Sequence, residues 1–164
     1  MKRTMSVFLA AGLAVSGCNP FRSPLKQDPV VEVSSGDVNV NSRWSGTLAS
    51  PASLAGAVQM KGTATMTPGS DGGRTSVTVN LSNATPGGLH PWQLHRGQCG
   101  ADDGVIGSLD AYKTLKVDEY GRASGAATLA FSMPMTGNYY VSVGASGANP
   151  ETIVACGNLA PPSR

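Results

Sequence analysis

Few residues of this 164-residue chain have the means for chemistry, and they are unevenly placed. Its two histidines fall in one segment, Gly88-Leu89-His90-Pro91-Trp92-Gln93-Leu94-His95-Arg96-Gly97-Gln98-Cys99. In an extended strand, positions i and i+2 share a face. Gln93 and His95 therefore point one way, and Trp92 and Leu94 point the other way, into a core. Met133-Pro134-Met135 places two thioethers two residues apart. Imidazole with soft thioethers suits Cu(I), which is content with few ligands. The candidate metal ligands are His95, His90 if the backbone turns near Pro91, and beside them Gln93, Met133 and Met135. Core filling is the competing role for each methionine, Met60 and Met66 included. Zinc is not expected, because no four-ligand set can be assembled. A serine nucleophile needs a histidine base and a positioning acid. His95 with Asp102 or Asp103 offers the latter two, but no nucleophile elbow accompanies them. No glycine loop opens a helix to cradle phosphate, and no Cys-x-x-Cys redox pair occurs.

The elements that must position these residues are strands. Ser76-Val77-Thr78-Val79-Asn80-Leu81-Ser82 alternates strictly. The turn formers Pro68 to Gly73 join it to a strand around Gly62 to Thr67. Further strands are expected at Thr114–Val117 and Ala126–Met133, flanking a turn at Asp118-Glu119-Tyr120-Gly121, and at Gly137–Val143 and Ile153–Cys156. No amphipathic helix of useful length is present. Short strands with 21 glycines predict an all-β sandwich or Greek-key barrel over residues 43–164.

The chain's start has a different character. Lys2 and Arg3 precede an apolar run from Val7 to Val15 that is too short to span a bilayer stably. Val15-Ser16-Gly17-Cys18 then resembles a bacterial lipoprotein cleavage box, in which the cysteine becomes the lipidated first residue. Residues 1–17 are thus expected to be a lipoprotein signal peptide, residues 18–42 a proline-bearing tether, and Cys18 a lipid anchor to the cell membrane or outer membrane. An ordinary signal peptide is the alternative. Outside the cytoplasm disulfides persist. Setting Cys18 aside leaves Cys99 and Cys156 of the three cysteines, an even remainder that suits one bridge, with two free thiols as the alternative. Removing residues 1–17 takes Lys2 and Arg3, lowering Lys+Arg from 12 to 10 against 10 Asp+Glu. No basic patch remains, so nucleic acid is not an expected partner.

The stretches Gly88–Cys99 and Val154-Ala155-Cys156-Gly157 resemble the histidine strand and the disulfide-closing strand of copper–zinc superoxide dismutases. Thr114–Leu129 is similar to that family's central hairpin, and Gly137–Val143 to the strand after it. A weaker likeness is to chordin-type domains, through Tyr139–Val143, Asn149-Pro150-Glu151 and His95-Arg96-Gly97. The dismutase resemblance implies a Greek-key β-sandwich or barrel with shortened loops, and a Cys99–Cys156 bridge. It also implies that the two copper histidines of one strand fall on Gln93 and His95. His90 matches a histidine that braces the site. A further copper histidine falls on Val143, and the active-site arginine on Ile153. The loops Gly100–Lys113 and Gly144–Thr152 are short and hold no histidine, although Asp102, Asp103 and Asp110 are present. Dismutation is therefore not expected, and the chain is not expected to be an enzyme. The expected function is a non-catalytic envelope lipoprotein that binds or sequesters copper through a remodelled site at His95. A metal-free structural or binding module is the alternative.

Overall fold

The computed structural model describes residues 42–57 and 59–162. The expected signal peptide, the expected lipidation site Cys18, and the expected tether up to residue 41 lie outside the described residues. Ten strands follow in order: β1 (Trp44–Ala49), β2 (Lys61–Pro68), β3 (Thr75–Ser82), β4 (Leu89–His90), β5 (Trp92–Gln98), β6 (Ala101–Val105), β7 (Leu115–Lys116), β8 (Ala123–Leu129), β9 (Tyr139–Ser146) and β10 (Asn149–Leu159). The only helical elements among the described residues are two single-turn 3₁₀ segments, Ala52–Leu54 and Leu109–Ala111.

Eight strands form one antiparallel sheet in the order β6-β5-β9-β10-β1-β2-β3-β8. Within it, β1, β2 and β3 are consecutive neighbours, and β10 returns to lie beside β1, which is a Greek-key arrangement. The sheet curls into a half-barrel, so residues from both halves share one core. Val77 and Val79 of β3, Leu94 of β5, Ala127 of β8 and Val141 of β9 all belong to it. The expected alternation is realised. In β3 the positions of Thr75, Val77, Val79 and Leu81 are buried, and the residues between them are not. The turn at Pro68–Gly73 closes a hairpin that pairs Pro68 with Thr75 and Lys61 with Ser82.

Two tryptophans anchor the core. Trp92 is buried, donates from Nε1 to the Lys113 carbonyl at 2.8 Å, and meets Tyr112 edge-on at 5.1 Å between centroids. Trp44 donates to the Pro134 carbonyl at 2.8 Å and meets Tyr139 edge-on at 5.2 Å. Each indole N–H thereby satisfies the one polar atom its burial would strand.

The region from Thr114 to Met133 departs from the expected hairpin. The turn at Asp118 exists, and the Asp118 carboxylate accepts from the N–H groups of Tyr120 and Arg122 at 2.9 and 2.8 Å. But β7 pairs with β4, setting His90 opposite Leu115, and β8 pairs with β3. The later strand also begins three residues earlier than its sequence suggests and stops at Leu129. Ala123, Ser124 and Gly125 lack β-formers yet lie opposite Leu81, Asn80 and Val79. Leu129 lies opposite Thr75, where β3 begins, so residues 130–133 have no β3 partner left to pair with.

Candidate functional site

His95 sits on the outer face of β5, opposite Tyr140 of β9. The two rings stack, with centroids 4.7 Å apart and planes 19° from parallel. Ser142, two residues further along β9, shares that face. Its hydroxyl lies 2.9 Å from His95 Nε2. The other ring nitrogen, Nδ1, lies 2.9 Å from Asp102 Oδ1. An ionised carboxylate only accepts. Nδ1–H therefore donates to Asp102, and in the neutral ring this leaves Nε2 to accept from the serine hydroxyl. Only 6% of His95 is exposed, and both its polar atoms are satisfied.

The turn between β5 and β6 makes this contact feasible. The ladder shifts register between His95 and Gly97. Gly97 has φ +103°, and a Cβ there would overlap the Ala101 carbonyl oxygen. Only glycine meets both demands, a left-handed backbone and a close approach. The tightened turn folds Asp102 of β6 back onto His95 of β5. Asp102 Oδ1 also accepts from the Gly104 N–H at 2.8 Å. That backbone bond, then His95, then the Tyr140 hydroxyl hold its carboxyl below the usual carboxylate range. Tyr140 responds in the opposite sense. Burial first, then the carboxylates of Asp102 and Asp103, push its phenol up to about 12.

Cys99, at the tip of the same turn, is bonded to Cys156 of β10, with Cα atoms 6.0 Å apart. The Cys99 N–H also donates to the Asn158 side chain at 2.8 Å. His95, Asp102, Tyr140 and the disulfide form one side of a cleft of about 690 Å³, and Ser50, Pro51, Glu151 and Ile153 close it.

The other expected site residues are not gathered here. His90 is buried on β4, in the two-stranded sheet with β7, and is not part of the cleft wall. Its Nδ1 donates to the Gly144 carbonyl at 3.0 Å, and its Nε2 has no partner among the described residues. Met133 packs against the core, and Met135 is exposed; both flank Pro134, whose carbonyl is tied to Trp44 at the end of β1 away from the cleft. Gln93 lies opposite Ser142 on β9 but is not part of the cleft wall. Val143 is wholly buried opposite Trp92, on the other face of β9 from Tyr140 and Ser142, the two residues that meet His95. Ile153 does reach the cleft. Ser142 and Tyr140 escaped the sequence reading. Their alternation with Val141 and Val143 is visible in the chain, but the pairing of β9 with β5 is not.

Ser142, His95 and Asp102 have the order and spacing of a nucleophile, base and orienting acid. Their setting does not support that chemistry. Ser142 is 5% exposed and absent from the cleft wall, and it lies mid-ladder between Gln93 and Cys156. Its backbone belongs to the sheet and offers no oxyanion donor. Nor does the donor set fit a histidine-built copper centre. One imidazole with both nitrogens occupied stands beside hydroxyls and carboxylates, and no group of three or more His, Cys, Asp or Glu side chains that could hold a metal ion occurs among the described residues. Compared with protein-family models the chain matches none, and no curated protein matches it in sequence.

Proposed function

We propose that this chain is an exported, Cys18-anchored, superoxide dismutase-like β-domain that does not catalyse dismutation and acts as a metal-free binding module through the cleft beside His95. The observation that carries this reading is the occupancy of His95. The one imidazole facing the cleft is buried, stacked on Tyr140, and hydrogen-bonded at both nitrogens. It serves as a fixed wall. A redox metal that must stay open to substrate needs several nitrogen or sulfur donors, and this face supplies one. The Greek-key sheet and the Cys99–Cys156 bridge support kinship with the dismutases.

Copper held through His95 is the second reading, favoured by one feature. A metal-bound imidazole commonly donates its other N–H to a carboxylate, and Nδ1 is so held by Asp102. On this reading a copper ion would take the place of the Ser142 hydroxyl at Nε2.

Two assays on the purified full chain test these readings. In a superoxide assay after copper loading, turnover should not exceed that of free copper; turnover above it would refute the non-catalytic reading. In Cu(I) and Cu(II) titrations against a competing chelator, wild type and His95→Ala should bind equally weakly. Tight binding lost on His95→Ala would replace the metal-free reading with the copper one.

A further inference from the structure

The cleft has a definite chemical preference. Of the residues in its wall, Asp102 and Glu151 are carboxylic acids, and none is a lysine or arginine. Ala49, Pro51, Ile153 and the disulfide supply an apolar surface. A carboxylate or phosphate ligand would meet like charge there. A purely apolar ligand would desolvate carboxylates without giving them a partner, which is unfavourable. The complement is a cation rich in N–H donors, carried on a hydrocarbon arm.

Asp102 is oriented in advance to receive such a group. Its hydrogen bonds from His95 and Gly104 both end on Oδ1, so neither occupies Oδ2, and the Tyr140 hydroxyl stands by as a further donor to this carboxylate. The side chain is 52% exposed toward solvent although His95 behind it is only 8% exposed. Asp102 cannot turn away without breaking its hydrogen bonds from His95 and Gly104, and His95 is itself held by Ser142 and Tyr140. A carboxylate fixed before binding loses little side-chain entropy when the ligand arrives. The cleft's volume, about 690 Å³, lies in the range of small-molecule sites.

We propose that the cleft binds a small alkylammonium ligand of the diamine type, with Asp102 and Glu151 receiving the ammonium groups and the disulfide, Pro51 and Ile153 receiving the methylene chain; this rests on the reading of the domain as a binding module. Asp102 supplies the strong, fixed contact. Glu151, at an exposed position of β10, supplies an adjustable one.

The test is calorimetric titration of the purified full chain with 1,4-diaminobutane. Neutral 1,4-butanediol and anionic succinate, of similar length, serve as probes of charge. The diamine should bind saturably at one site, and the diol and succinate should give no saturable heat. Asp102→Asn should weaken diamine binding at least tenfold and Glu151→Gln several-fold. If Asp102→Asn does not fold, Glu151→Gln at the exposed rim decides alone. Diamine binding no tighter than that of the diol, or unchanged in the variants that fold, would overturn the proposal. Either result leaves the non-catalytic reading standing, because that is judged by superoxide turnover.

Discussion

His95 holds its surroundings together as much as they hold it. Replacing it with alanine removes two hydrogen bonds and an aromatic stack, and strands the Ser142 hydroxyl in a site that is 5% exposed. An unsatisfied buried polar group costs about 1–3 kcal/mol. His95→Ala should therefore lower stability by about 2–4 kcal/mol in urea unfolding, and a loss below about 0.5 kcal/mol would mean the site is slack. Ser142→Ala, which leaves the ring its contacts with Asp102 and Tyr140, should cost less. Asp102 gives the pH dependence. Its folded pKa lies below its unfolded value, so its contribution is present above about pH 4 and is lost as pH falls through the folded pKa. Asp102→Asn should flatten that acid limb in a series of urea midpoints from neutral pH downward. Parallel acid limbs in the two proteins would show that Asp102 carries none of it. At this scale the sequence was informative about side and silent about neighbours. Alternation put His95 opposite Trp92 and Leu94, but nothing in the segment named Ser142 or Tyr140 as the residues it would meet.

The decisive element is the turn between β5 and β6, pinned by Cys99–Cys156. The bridge closes a loop of 57 residues, and on the chain-entropy model it contributes about 4 kcal/mol. Cys99→Ser with Cys156→Ser should lower stability by that order, measured by denaturant unfolding against the oxidised protein. A difference under about 1 kcal/mol would mean that sheet pairing alone fixes the turn. The same substitutions should loosen the cleft, because Cys99, Gly100 and Asp102 belong to one turn. Cysteine arithmetic made this pair legible in the chain. The pairing of β7 was not legible. Two residues long, Leu115–Lys116 offers no alternation to read, and nearness in sequence favoured β8 where the fold chose β4. Ala123–Gly125 misled for a related reason. Small residues look like a turn, yet Gly125 fits beneath Trp92 and Leu115, whose atoms a Cβ there would strike.

At the largest scale, the described residues form a curled sheet around one core, with the cleft beside His95 on its outer face. Leu94 lies fully inside, so Leu94→Ala should cost about 2–5 kcal/mol, its reach set by how far the half-barrel can collapse around the cavity. Alkali probes the same packing. Burial holds the phenol of Tyr112 up to about 12, and burial with Asp102 holds that of Tyr140 up to about 12. In the unfolded chain tyrosines ionise near pH 10. The unfolded state therefore releases protons first, and stability should fall as pH rises from about 10 to about 12. Absorbance titration should show two tyrosines ionising late in the folded protein, and together with the rest if the fold has already opened. The strand faces of β3 and β5, the hairpin turn at Pro68–Gly73, the all-β class and the cysteine pair were all set by the chain alone. Each depends on periodicity, on backbone preference, or on counting. The candidate site was decided by tertiary structure. Backbone hydrogen bonds carry no address, so β5 does not specify in its own residues that it will pair with a strand that brings Ser142 to His95 from 47 residues away. Nor does it specify that a glycine-tightened turn will fold Asp102 onto the other nitrogen of the same ring. Which partners meet follows from the one curvature that buries Trp92, Leu94, Val141 and Val143 together, and that is a property of the whole sheet.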